Sequence, residues 1–443
     1  MSNTTAFFRH LPVRRVIGLI LVTCLLFLSV AACSDKDEPY DDAVAESPFP
    51  ARYGPFGADA ARSLARRFPS RYAGTTEESR AADYLVERLN ESGYQVTRQP
   101  FNYYDAKGDY FSSENLIIEV PGTGFYLPDE ESAFGSDSNV TSVTEGRFLI
   151  FGASYDTPKT TIWSQTILGR ANGIHNNAAA VGALLMLAEL WKKNPPGYDS
   201  RLILFGAGGE AHAGARAYAS TLTADEIKNC EGMFNLNGIY AGNKVYAHAG
   251  WNSIDSDMKK IPDMRTKLYQ ATDVYYNNLL LTNNNFGLYT NQSLFRIPSF
   301  NGKTNVAYRE WTMHESDHTP FDKLGIPIVF MESYEYDAET LTEINKESTD
   351  PYFASVNGVI SGSNLDSMMI LDRYFALERE SEQIFGTDEE STSTPADTDE
   401  TTTGVEHHRD DNIERLEQRV NNVAFILHEC SRRGPENSEL ITP

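Results

Sequence analysis

Leu202, Ile203 and Leu204 run without a polar break into Phe205-Gly206-Ala207-Gly208-Gly209-Glu210-Ala211-His212-Ala213-Gly214. An apolar run of this kind is what a strand covered on both faces looks like. Its abrupt end in small residues and one carboxylate marks the point where the strand delivers a side chain to the sheet's carboxyl edge, where open α/β folds place their ligands. Glu210 is therefore the first residue whose chemistry needs an explanation. Asp156 after one strand, Asn176 before a helix, Asn237 after another strand and His318 before a turn group around it.

The chain has 443 residues, 41% of them hydrophobic, enough for a sizeable core in one large domain or two smaller ones. A net charge of −24 and a pI near 4.8 exclude nucleic acid as a partner, because phosphate binding needs clustered Lys and Arg. Four cysteines, Cys24, Cys33, Cys230 and Cys430, are too few for a disulfide framework; a Cys230–Cys430 pair stays open.

Arg9, Arg14 and Arg15 precede an apolar core from Val16 to Leu28 that is too short to span a bilayer and reads as a secretion signal. Val30-Ala31-Ala32-Cys33 resembles the bacterial lipobox, which implies a lipidated Cys33, removal of the preceding residues and a location in the cell envelope. The expected organisation is a lipoprotein signal over residues 1–33, a flexible acidic tether over 34–58 and a main α/β domain over 59–385. An acidic Ser/Thr-rich insertion over 386–411 and a closing amphipathic helix over 412–433 follow.

Within the main domain, Asp59 reads as the N-cap of a helix reaching Phe68, and Ala81 to Leu89 as a second helix. Gln95–Phe101 and Asn115–Gly122 read as strands, and Thr123–Gly146 as a long loop or insertion. Leu365–Glu378 reads as a further helix. The stretch between Gly250 and Trp311 contains no motif that decides a ligand.

Six blocks, in order, resemble the co-catalytic zinc aminopeptidases of metallopeptidase family 28. Arg71-Tyr72-Ala73-Gly74-Thr75 matches the opening of their catalytic domain, and Gly152-Ala153-Ser154-Tyr155-Asp156-Thr157 matches "G-A-H-Y-D-T". Gly173-Ile174-His175-Asn176-Asn177-Ala178 matches "G-A-x-D-N-A", and the Phe205–Tyr218 run resembles "F-x-G-E-E-x-G-L-x-G-S-x-x-Y". Asn235-Leu236-Asn237 and Ser316-Asp317-His318-Thr319-Pro320-Phe321 match "N-L-D" and "S-D-H-x-P-F". The resemblance implies a three-layer α/β sandwich with a mostly parallel central sheet and a two-zinc site. Related glutaminyl cyclases hold one zinc at the positions of Asn176, Glu210 and His318.

The substitutions fall on that site. Ser154, Asn176 and Asn237 stand where the family has a ligating His, a bridging Asp and a ligating Asp, and Asp156 and Asp317 remain as groups behind the ligands. Glu210 reads as the base or as a ligand, according to where a one-residue gap before Gly214 is placed. With His318 and Glu210 alone, at most one zinc is expected, and a third ligand would come from His175, His212 or His314. Two functions follow. One is a lipid-anchored pseudoenzyme that binds peptide N-termini or a partner, with Glu210 and Asp317 facing an ammonium. The alternative is an active single-zinc aminopeptidase or glutaminyl-cyclase-like enzyme.

Overall fold

The computed structural model describes residues 50–128, 142–159, 171–257, 259–278, 286–290, 295–298, 304–307, 310–312, 314–336, 346–385 and 413–442. Its contacts divide the chain into Met1–Ala43, which lies outside those residues, and Val44–Pro443, to which all that follows refers. The expected secretion signal, the expected lipidation site at Cys33 and the expected acidic insertion over 386–411 lie outside the described residues.

An eight-stranded sheet runs through the body. Its strands are β1 (Thr97–Tyr104), β2 (Tyr110–Val120), β3 (Phe148–Ser154), β4 (Asp199–Phe205), β5 (Cys230–Leu236), β6 (Lys244–His248), β7 (Leu288–Thr290) and β8 (Ile328–Tyr334), in the spatial order β1-β2-β4-β3-β5-β8-β6-β7. The four central strands, β4, β3, β5 and β8, are parallel, while β2 and β6 join this block antiparallel on either side. The central strands show why their sequences lack alternation. Leu202, Leu204, Leu149, Phe151, Phe234 and Val329 face one hydrophobic cluster, and Ile203, Phe205, Ile150, Met233 and Ile328 face the other. Both faces are buried, so both parities must be apolar.

On the first face lie α1 (Phe56–Arg67), α2 (Thr76–Glu91), α3 (Ala179–Lys193), α6 (Thr266–Asn277), α8 (Met368–Phe385) and α9 (Arg415–Ser431). The shorter α4 (Ala213–Ala219), α5 (Ala224–Asn229) and α7 (Thr319–Lys323) accompany the second face. Helix α3 is buried nearly all round, from Ala179 to Trp191, because α1 and α9 cover it on the side away from the sheet. The α1–α3 crossing depends on two glycines. A Cβ on Gly182 would stand 2.4 Å from the Gly57 carbonyl oxygen, and one on Gly57 2.7 Å from the Gly182 carbonyl oxygen.

Several boundaries differ from the sequence reading. Helix α1 begins at Phe56, so Asp59 sits in its first turn instead of capping it, and Tyr53 is already buried within the stretch expected to be tether. Helix α2 starts at Thr76, with the Thr75 hydroxyl accepting from the Glu78 N–H in the usual N-cap manner. The Gly250–Trp311 stretch contains α6, which buries Leu268, Ala271 and Val274. Cys230 and Cys430 are both buried free thiols, not a disulfide, and burial pushes each up to about 12.

Candidate functional site

The carboxyl edge of the central strands is held by two buried charged residues. Arg71, fully buried, donates to the carbonyl oxygens of Tyr155, Phe68, Asn172 and Gly173, tying the end of β3 to the loop before α3. With burial as the main cause its pKa falls to about 10, so the guanidinium stays charged among these carbonyls. Glu78 accepts from the Ala207 and Gly74 N–H groups and from the Ser113 hydroxyl. Burial, with Asp156 nearby, pushes its pKa up to about 7. The sequence singled out Arg71 only as part of a motif and gave no signal for Glu78.

Backbone conformation fixes the register of the Phe205–Tyr218 run. Ala207 and Ala211 have φ of 50° and 51°, the left-handed region that favours glycine. These are the two positions where the resembled pattern has its first and second Gly, and Phe205, Gly214 and Tyr218 then match with no gap. The paired glutamates of the pattern therefore fall on Gly208 and Gly209, and Glu210 on the variable position after them. Glu210 is neither base nor ligand in this arrangement: its carboxylate meets Lys159 Nζ at 2.9 Å on the rim. The one-residue gap expected before Gly214 is what misplaced it: the run matches residue for residue without one.

At the end of β3, Ser154 donates from Oγ to Asp317 Oδ2 at 2.6 Å, and His212 Nδ1 approaches Asp317 Oδ1 at 3.3 Å. Burial alone would lower the His212 pKa, but the hydrogen bond and charge of Asp317, with Glu315 and Asp156, raise it on balance. Asp156 accepts from the N–H groups of Gly208 and Gly209 at 2.7 and 3.0 Å. Burial pushes its pKa up to about 6 against those two donors, and Asp317 adds to the rise. Asp156 thus positions the two-glycine turn, and Ser154, Asp317 and His212 close a polar chain beside it.

His318 is held by Asn235, which the sequence reading did not single out. The Asn235 amide nitrogen donates to the carbonyls of Gly152 and Leu236, so its oxygen faces His318, whose backbone N–H and Nδ1 approach it at 2.8 and 3.3 Å. Nδ1 must then carry the proton, which leaves Nε2 as an acceptor. Burial lowers the His318 pKa to about 3 despite the nearby Glu332 and Asp317, so the ring is neutral.

His175 is not a ligand. Its Nδ1 accepts from the N–H groups of Tyr240 and Ala241, Nε2 faces Glu347 at 3.5 Å, and Gly238 packs against its ring. The residue instead fastens the loop before α3, which carries Asn176, to the loop after β5, which carries Asn237. Asp366, from the segment before α8, accepts from the N–H groups of His175 and Asn176. Both Asn176 and Asn237 are half-buried, and neither amide side chain has a protein partner among the described residues. His314 is also occupied: it meets the buried Glu332 at 3.1 Å, and Glu332 accepts from Tyr336 at 2.5 Å.

A zinc ion does not fit these residues. The positions that would converge on it offer a hydroxyl already donating to Asp317, two neutral amides, two glycines and one imidazole. Zinc sites use thiolate, imidazole and carboxylate, and a catalytic site needs three such ligands. An amide cannot replace a bridging carboxylate between two dications. Among the described residues no group of three or more His, Cys, Asp or Glu side chains is placed to hold a metal ion.

Comparison with known proteins agrees with the fold. A model of peptidase family M28 matches residues 139–422. The Escherichia coli (strain K12) alkaline phosphatase isozyme conversion protein is 26% identical over 323 residues, 71% of this chain and 81% of that one. A Bacillus subtilis zinc aminopeptidase superposes with a TM-score of 0.51 at 13% identity, covering 86% of this chain and 95% of its own. An Acidobacteriales bacterium glutaminyl cyclase does so with a TM-score of 0.50 at 12% identity, covering 88% and 97%. These structural likenesses extend to the Zn-exopeptidase fold.

Proposed function

Because the chain belongs to peptidase family M28 but carries neutral groups at the positions of that family's metal ligands, we propose that it is a non-hydrolytic member that binds peptides in the retained cleft. The lipobox at Cys33 supports an anchored, extracytoplasmic protein, with the cleft presented at the cell envelope. The observation that carries the reading is the pair Gly208–Gly209, whose N–H groups bind Asp156 in the place of two glutamates. Without those side chains there is neither a general base nor a carboxylate ligand at that point. Hydrolysis at a carbonyl would need both an activated water and charge stabilisation.

The test is elemental analysis of the purified full-length chain after dialysis against micromolar zinc, run beside an assay of N-terminal residue release from short peptides. Zinc well below stoichiometric and no release are expected. Near-stoichiometric zinc that is lost in His318→Ala, together with release, would overturn the reading.

A further inference from the structure

The opposite edge of the sheet carries a second recess. The parallel strands β3, β5 and β8 begin at Phe148, Cys230 and Ile328. Arg147, Cys230 and Pro327, at those starts, line one groove of about 880 Å³. That lies within the roughly 300 to 1,000 Å³ usual for small-ligand sites. Each of the three strands has 7 residues, so the groove is roughly 20 Å from the strand ends beyond which Ser154 and Asn237 sit.

Lys267, in the first turn of α6, lines this groove and is 3% exposed. Gly232 on β5 makes room for its stem, since a Cβ there would stand 3.2 Å from Lys267 Cγ. Lys267 Nζ donates to Gln270 Oε1 at 3.0 Å and to the Arg433 carbonyl oxygen at 3.2 Å, and it lies 4.4 Å from the centre of the Tyr198 ring. All of these partners are neutral. Glu231 acts on the lysine through charge alone, because its carboxylate is held by Arg147 at 2.8 Å. A lysine buried this deeply is ordinarily paired with an acid. Burial lowers its pKa to about 8, so the ammonium persists at neutral pH at a cost that a bound anion would offset.

Arg433 adds a half-buried guanidinium to the same groove, with no hydrogen bond or ion pair of its own among the described residues. Asp263, Asp273 and Glu436 also line the groove but are exposed, where solvent and salt screen them. Their repulsion doubles for a dianion, so a single negative charge suits the groove better than two. Phe125, Tyr198, Ile227 and Leu440 give it an apolar side. A fitting ligand therefore has an apolar body and one anionic end.

We infer that this groove is a binding site for an organic monocarboxylate whose carboxylate pairs with Lys267 and Arg433. The site is separate from the cleft at the strand ends and does not depend on what that cleft binds. A peptide's carboxyl terminus and a free aliphatic acid both carry this chemistry.

The experiment is calorimetric titration of the full-length chain at pH 7 with an N-acetylated tripeptide ending in leucine, the carboxyl amide of the same peptide, octanoate, and inorganic phosphate. At least one of the two carboxylates is expected to bind tenfold or more tightly than the amide and phosphate, and the peptide and octanoate arms show which source fits. Lys267→Met keeps an unbranched stem without the charge and is expected to bring the carboxylates down to the level of the amide. Arg433→Gln is expected to weaken them at least threefold. Its side chain has no partner to lose, so it carries the test if a melting curve shows that Lys267→Met does not fold. Equal affinity for peptide and amide with no binding of octanoate, tighter binding of phosphate than of either carboxylate, or a carboxylate affinity unchanged by the substitutions would overturn the inference.

Discussion

Gly208 stands within contact distance of Ser154, and that contact can be measured. A Cβ added to Gly208 would lie 1.9 Å from Ser154 Oγ and 2.5 Å from its Cβ. Gly208→Ala must therefore push the serine off Asp317, which loses a buried hydrogen bond and adds strain. A cost of roughly 2 to 4 kcal/mol is expected in denaturant unfolding. Ser154→Gly removes both clashing atoms, so the double variant should recover about 1 to 3 kcal/mol relative to the sum of the single changes. Additive single and double variants would mean that the two residues do not touch. At this scale the sequence was partly legible. Ser154, Asn176 and Asn237 could be read as ligand replacements because their blocks align without gaps. Glu210 was misplaced by an assumed gap, although Phe205, Gly214 and Tyr218 align without one; the left-handed backbone at Ala207 and Ala211 agrees with the ungapped register. Asn235, Arg71 and Glu78 act through backbone groups, and a sequence gives no sign of which carbonyl or N–H a side chain will meet.

Elements were easier to read where apolar residues recur and harder where they do not. Helix α3 stood out because its apolar residues cover the whole circumference and Pro195-Pro196 stops it. Helix α6 did not, because no side chain caps its start and Thr, Tyr, Gln and Asn interrupt its apolar positions. The α1–α3 crossing could not be foreseen, since a glycine within a helix shows its purpose only when the facing backbone is known. Gly182→Val would drive a branched side chain against the Gly57 carbonyl oxygen and Ala61, atoms of a helix backbone that cannot rotate aside. A loss of about 2 to 4 kcal/mol is expected. A wild-type unfolding midpoint for Gly182→Val would show that the two helices do not approach as closely as the glycines require.

The whole molecule closes through its last helix. Helix α9 buries Leu416, Val420, Val423, Ala424, Ile426 and Leu427 against the cluster that also contains α1 and α3. Its polar groups tie it to distant segments as well: Asn421 donates to the Gly54 carbonyl, Trp191 donates to Ser431, Arg419 donates to the Asn243 carbonyl, and His428 Nε2 meets the Asn194 carbonyl. At about 1.5 to 3 kcal/mol for each large apolar side chain, the burial lost with this helix is on the order of 10 kcal/mol, an upper estimate because unfolded chains already bury some of this surface. Domains of this kind have net stabilities of about 5 to 15 kcal/mol. A chain ending at residue 412 should therefore lack a cooperative unfolding transition, since removing α9 exposes α3 on the side that the sheet does not cover. Circular dichroism melting and limited proteolysis of the truncated chain check this. A truncated chain that melts cooperatively within a few degrees of the full chain would mean that the fold is complete without α9, and that the 413–442 segment has a task other than closing the core.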